Sequence, residues 1–371
     1  MLWGFATLKC PARELFHRFS VQVLDRDLDD ACPQVLSNIV WSFGTLGYFD
    51  DELVDKISSH VLVRGLDGFK PMEVSSMIWG MAALGHTNER LFEKVSEHVM
   101  STGLEGFNAP KISIIAWSFA RARFQAEDLF SLIEEFVVEK GMSSFNSQNI
   151  ACILWAFAVF GRMTDDLLAC AEEQIWSVGF SGFSDQSFVD LLWAFAASDL
   201  TGTCTHSGED TVKLAAAYLR KRSIRSFSPK QLSTMAWAFA RLGQFHDQAF
   251  YSLEQEILRR DISEFDTSEM TFIANAFRAY RNSRNIANMC NLSGIGIRLL
   301  SRLDAEESSA TTVECNTPES VSDCELWPEE TECEVFKKGE VFKAKVVEKH
   351  HKKCASVRSE RLDACIPFQA C

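Results

Sequence analysis

The chain has 371 residues, 47% of them apolar, and a formal net charge of −14. That is enough apolar material for a large packed core, and the charge argues against a simple electrostatic nucleic-acid binder. No apolar run reaches the roughly 18–20 residues that span a bilayer, and no signal peptide is visible.

The charge is uneven. Residues 1–200 carry 14 Lys+Arg against 27 Asp+Glu, whereas residues 201–300 carry 13 against 9. A polyanion-facing surface is therefore expected in the later part, around Arg220–Arg225 and Arg278–Arg284. Of the 12 cysteines none forms a C-x-x-C pair, and Cys152 and Cys170 fall at helical positions that read as buried, which suits a reducing compartment.

One period organises the sequence. Trp3, Trp41, Trp79, Trp117, Trp155 and Trp193 recur every 38 residues; Trp237 follows after 44, and Asn275 stands 38 further on. A fixed period of this size is the mark of a helical repeat array. Met1-Leu2-Trp3 starts inside a unit, so residues 1–30 read as a truncated first repeat and the chain as one lacking its true N-terminus.

Each unit reads the same way when the tryptophan is numbered zero. At minus ten stand Phe69, Phe107, Phe145, Phe183, Phe227 and Phe265, with only Ala31 breaking the column. The next residue is often a capping type, as in Asn108, Asn146, Ser184, Ser228 and Asp266, so a first helix begins there with the phenylalanine packed back as a staple. Apolar residues at minus five, minus two, minus one and plus two, for example Ile150, Ile153, Leu154 and Phe157, form one arc at about 100° per residue. Small residues at minus four, plus one and plus three, such as Ser37, Ser42 and Gly44, permit close helix approach. Gly47, Gly85, Gly161 and Gly243 at plus six suit a helix C-terminus.

A second helix opens on acidic residues such as Asp50-Asp51-Glu52 and Asp165-Asp166, which suit a helix N-terminus. Its apolar column runs through plus twelve, sixteen and twenty, as in Leu53, Ile57 and Val61. Each unit is thus a helix–turn–helix pair that cannot bury its faces alone. The expected fold is all-α: a right-handed α-solenoid of about seven 38-residue repeats over 31–282, with a disordered C-terminal tail. A polar loop is inserted at 200–210, after which Val212, Ala215 and Leu219 restore the column. Residues 283–303 read as a degenerate last helix and 304–371 as a mostly disordered, cysteine-containing tail, rich in Glu, Ser, Thr and Pro through Glu334. Some alternation at Val335–Val347 does not amount to a domain.

The first helix leaves a polar arc at minus seven, minus six, minus three and plus four. These positions vary between units while the apolar columns hold. The candidate RNA-contacting residues on it are Asn38, Ser76, Lys111, Arg121, Gln148, Asn149, Gln186, Asp190, Lys230, Gln231, Thr234 and Arg241. Amides and hydroxyls pair with base edges, and Lys111, Arg121, Lys230 and Arg241 suit phosphates. For any one of these residues solvent-exposed drift is the better explanation; for the columns taken together as a surface the two readings stand about level. The tryptophans, constant and set among small residues, read as a packing seam between units rather than as base-stacking platforms.

The pattern F-x-[PST]-x-x-[ILV]-S-x-[IM]-x-W-[AGS]-F-A-x-L-G, followed by an acidic-capped second helix, resembles the octotricopeptide repeat over about residues 1–282. It is similar too to repeats of apicomplexan and dinoflagellate organelle proteins and, more distantly, to those of FAST-kinase-domain proteins. The resemblance implies sequence-selective single-stranded RNA binding in a mitochondrion or chloroplast, for transcript stability, processing, translation or ribosome assembly. Other proteins of an RNA-processing or ribosomal complex are implied as partners, with no membrane and no small-molecule cofactor. The RAP domain that ends many members is not found in Ser301–Cys371.

No phosphate-binding glycine loop or nucleophile setting appears, and Glu134-Glu135 and Glu172-Glu173 read as exposed helix faces, so no enzyme is expected. His350, His351 and Cys354, with Cys315, Cys324 and Cys333, match no zinc spacing. The alternative to RNA binding is a protein–protein scaffold, whose acidic first half and Phe-rich units suit a basic or apolar partner. A degenerate copy without an independent role is a third reading.

Overall fold

The computed structural model describes residues 1–201, 209–286, 296, 299–303, 335–337 and 340–342. The repeats form an α-solenoid. Its first-type helices, called A helices below, are α1 (Leu2–Thr7), α3 (Pro33–Leu46), α5 (Pro71–Ala83), α7 (Ala109–Arg121), α9 (Ser147–Val159), α11 (Asp185–Thr201), α13 (Pro229–Arg241) and α15 (Thr267–Ile286). Between them run the B helices α2 (Arg13–Leu24), α4 (Asp51–Arg64), α6 (Glu89–Thr102), α8 (Glu127–Lys140), α10 (Asp165–Val178), α12 (Glu209–Leu219) and α14 (Asp247–Arg259). Each A helix packs on the next A helix and each B helix on the next B helix, giving two layers.

The caps sit where the sequence puts them. Asn146 Oδ1 accepts from the Asn149 N–H at 2.9 Å, and Asp266 Oδ1 from the Glu269 N–H at 2.7 Å. In the B layer, Asp50, Asn88 and Thr164 cap α4, α6 and α10. The staple phenylalanines are buried, from Phe69 through Phe265. At plus six the chain turns left-handed: Gly47 has φ 63° and Gly161 φ 61°, and Arg123 adopts φ 53° at the same place without the freedom of glycine.

The layers meet along a phenylalanine seam. The plus-two ring of one unit packs edge-on against a phenylalanine of the preceding B helix, as in Phe16–Phe43 and Phe92–Phe119, with centroids 5.0 and 5.1 Å apart. The B column is fully buried, with Leu53, Ile57 and Val61 at 1% exposure or less. Small residues then set how closely A helices approach. A Cβ at Gly80 would lie 2.6 Å from Val40 O, and one at Gly44 would lie 3.0 Å from the Gly80 backbone. Buried serines fit this seam because they bond within their own helix, Ser42 Oγ donating to Asn38 O at 2.6 Å and Ser118 Oγ to Ile114 O at 2.6 Å.

Beyond the array, the helical segment 299–303 buries Leu299, Leu300 and Leu303. α12 restores the B column, with Val212, Ala215 and Leu219 buried. A short hairpin, β1 (Val335–Lys337) and β2 (Glu340–Phe342), lies within a second unit of the chain and pairs Phe336 with Val341. The rest of the expected tail, most of the 200–210 insertion, and Cys204, His206, Cys315, Cys324, Cys333, His350, His351 and Cys354 lie outside the described residues. Among the described residues, no group of three or more His, Cys, Asp or Glu is placed to hold a metal, and no helix is long and apolar enough to cross a membrane.

Candidate functional site

At about 100° per residue, positions minus seven, minus three, zero and plus four fall within one 60° arc of an A helix. That arc is the outer face of the A layer. Along it runs a tryptophan ladder. Trp41, Trp79, Trp117, Trp155 and Trp193 follow one another with ring centroids 6.2–6.4 Å apart and interplanar angles of 28–42°. Each ring packs on the next unit's ring, as a seam should. Trp41, Trp117, Trp155 and Trp237 are nonetheless only half-buried, so ring edges remain on the surface between the polar columns.

The minus-six column has another use. It is the N3 position of each A helix, from which a side chain reaches back to the N-cap backbone. Glu73 accepts from the Lys70 N–H at 2.8 Å, Asn149 from Asn146 at 3.3 Å, Gln231 from Ser228 at 2.8 Å and Glu269 from Asp266 at 3.0 Å. Asn149 is 2% exposed. The expectation of a free outward column at minus six is therefore corrected: Asn149, Gln231 and Glu269 close capping boxes, and Glu73 makes the returning half of one. Lys111, which cannot accept a hydrogen bond, is half-buried at the same position of α7.

The minus-seven column stays on the face, whereas the minus-three column does so only in part, since Cys152 and Thr234 are buried. Asn38 and Ser76 are half-buried on α3 and α5. In the fifth and sixth units three candidates join: Gln231 Nε2 donates to Gln186 Oε1 at 2.9 Å, and Gln186 Nε2 donates to Asp190 Oδ1 at 2.7 Å. Burial pushes the Asp190 carboxyl up to about 7, against the pull of the Gln186 hydrogen bond and the Lys230 charge. Lys230 is exposed at the same end of α13. Thr234 is 6% exposed and spends its hydroxyl on Lys230 O, at 2.7 Å, so it is offered to nothing outside. Gln148 Nε2 is buried with no hydrogen-bond partner. At plus four, Arg121 is half-buried and Arg241 exposed.

The expected basic cluster at Arg220–Arg225 is partly internal. Arg222 pairs with Asp185, donates to Phe183 O at 3.2 Å and lies over the Tyr218 and Phe227 rings. Arg64 bonds Ala31 O, and Arg260 donates to Phe227 O at 2.6 Å, so an arginine at the end of a B helix ties its unit back to the residue before the A helix. This recurring arginine was missed because the column also holds Thr102, Lys140 and Val178, and the insertion at 200–210 shifts Arg222 out of the 38-residue count. Glu134 and Glu172 are corrected as well. They are half-buried and accept from Thr164 and Thr211, each at 2.6 Å, which ties successive B helices together; only Glu135 and Glu173 are exposed.

A hollow of about 350 Å³ lies between the turns preceding α5 and α7, lined among others by Asp67, Phe69, His98 and Phe107. Burial holds the His98 imidazole below its usual range. No candidate column reaches it.

The family model of the RNA-editing substrate-binding complex 6 protein matches residues 2–206, more than half of the chain, and the chain belongs to that family. The match carries the coarser part of the resemblance read from the repeat, an RNA-linked helical-repeat protein. No curated protein is a match for the sequence.

Proposed function

We propose that this member of the RNA-editing substrate-binding complex 6 family binds single-stranded RNA along the A-layer face. It works within an RNA-processing complex of an organelle, mitochondrion or chloroplast, and performs no chemistry of its own. The observation that carries this reading is the ladder itself. Half-exposed indole edges of Trp41, Trp117, Trp155 and Trp237 lie along it, with Trp79 and Trp193 buried between them, flanked on the same arc by columns whose residue type changes from unit to unit. Base–aromatic contact tolerates any sequence, whereas amides and hydroxyls discriminate.

The roles divide by charge. Lys111, Arg121, Lys230 and Arg241 take backbone phosphates, and Asn38, Ser76, Gln148 and Gln186 face base edges. Asn149, Gln231 and Thr234 hold the helix ends and the network in place rather than reading bases. Asp190 opposes the phosphates when ionised, and its raised carboxyl lets that opposition fade as the pH falls below about 7.

The test is fluorescence anisotropy of labelled single-stranded RNA over a salt series. Changing Lys111, Arg121, Lys230 and Arg241 together to Gln is expected to flatten the slope of log K against log salt by about 0.7 for each phosphate that is no longer neutralised. Absence of RNA binding at low salt rejects the reading.

A further inference from the structure

The B layer carries a second periodic surface that the A-face reading leaves unused. At plus twenty-one from the tryptophan stand Leu24, Leu62, Met100, Val138 and Trp176, 38 residues apart and apolar in five successive units. They lie on the outer side of the B helices. Met100, Val138 and Trp176 are 40%, 38% and 54% exposed, and Leu24 and Leu62 are half-buried. Isolated exposed apolar residues need no explanation, but a row along adjacent helices marks a docking surface.

Trp176 is held in place. Its Nε1–H donates to Thr211 Oγ1 at 2.9 Å, and that hydroxyl donates to Glu172 Oε1 at 2.6 Å. One ring edge is thus anchored across α10 and α12 while more than half of the side chain faces outward. A large apolar side chain already fixed in its bound orientation loses little entropy on association, as interface hot spots require.

The flanks define the occupant. One turn earlier on the same outer faces lie Glu97, Glu135 and Glu173, all exposed. Across α6, α8 and α10 together there are twelve carboxylates and three cations, Arg90, Lys94 and Lys140. Lys94 is paired with Glu97 at 3.3 Å and Lys140 with Glu139 at 2.8 Å, and α10 has no cation. The stripe ends where the charge changes, since the next unit places Arg220 at the equivalent position.

We propose that the row Met100–Val138–Trp176 and its glutamates bind a basic amphipathic helix of a partner protein, laid across the B helices. Packed helices are spaced about 8–10 Å apart, and seven residues of helix advance about 10.5 Å. An apolar residue at every seventh position therefore meets one anchor per repeat, and Lys or Arg beside it meets the glutamate row. An extended strand covers the same step in about three residues, which turns successive side chains to opposite faces.

The experiment uses the full chain and two labelled helical peptides of four heptads. Both have Leu at the first and fourth heptad positions; one has Lys on the flanks, the other Glu. The Lys peptide is expected to bind with salt-sensitive affinity and the Glu peptide not to bind. Val138→Gln with Trp176→Gln should weaken the Lys peptide by about tenfold or more. Glu135→Lys with Glu173→Lys, which leaves the apolar row intact, should abolish the preference between the peptides. Both variants should keep the helical circular dichroism and the RNA affinity of the parent. Equal binding of both peptides, or a Lys-peptide affinity unmoved by either variant, overturns the proposal. So does a chain dimer that disappears in the Trp176 variant, which assigns the surface to a second copy, and so does loss of RNA binding in these variants.

Discussion

The two layers of the solenoid solve the same problem by opposite means. A helices adhere through shape: glycine and serine bring the backbones together until Gly80 has no room for a Cβ, and the indoles stack outside the seam. B helices adhere through polar ties between neighbours, Ser20 to Asp50 at 2.5 Å, Thr164 to Glu134 and Thr211 to Glu172. Close packing tolerates little change, so the A layer keeps its residue types. A hydrogen-bonded pair can exchange donor and acceptor, so the B layer keeps the tie while its residues change. Surface chemistry follows: a fixed A frame can carry variable readers, and a B layer of charged ties carries the net negative charge.

Gly80→Ala has the largest expected effect. A methyl group placed against the Val40 carbonyl should cost about 2–3 kcal/mol, lower the melting temperature by several degrees, and disturb α3 and α5 before the rest. A neutral result would mean that the A layer is not limited by close approach.

Asp190 gives the next effect. Its folded pKa, about 7, lies above the unfolded value near 3.9, so the folded state binds the proton more tightly. Stability is fully gained below the unfolded value and lost as pH rises through about 7. Asp190→Asn should remove that dependence between pH 4 and 8, raise stability at pH 8 by on the order of 2 kcal/mol, and strengthen RNA binding there. Thermal melts across pH check the first part and anisotropy the second.

Thr164→Ala tests the B layer. It deletes the α10 cap and the donor to Glu134 in one step, at a cost of about 1–2 kcal/mol. Thr164→Ser, which keeps both bonds, should restore most of it in the same urea titration. The smallest effect is Arg123→Gly, where relief of the φ 53° conformation should add up to about 1 kcal/mol.

The fold could be read from the sequence because its strongest constraints repeat in identity. The phenylalanine staples, the caps, the small residues and the B column at Leu53, Ile57 and Val61 are all where the period puts them. The candidate site was read less well. A helical wheel separates inward from outward positions but does not know that minus six is N3, so Asn149 and Gln231 looked free when each closes a cap. The B-layer ties escaped because they join residues about 30 positions apart whose roles swap, Ser20 with Asp50 in one place and Glu134 with Thr164 in another. Trp176 escaped for a similar reason, since its column holds Leu, Met and Val in the other units.

RNA is expected on the A face and not on the B face. The direct measurement is the salt dependence of single-stranded RNA affinity for three proteins: the parent, the Lys111, Arg121, Lys230 and Arg241 to Gln variant, and the Val138→Gln, Trp176→Gln variant. A flattened slope in the A-face variant, with the B-face variant matching the parent, is the expected result. Equal slopes in all three proteins, or loss of affinity in the B-face variant alone, would contradict the account.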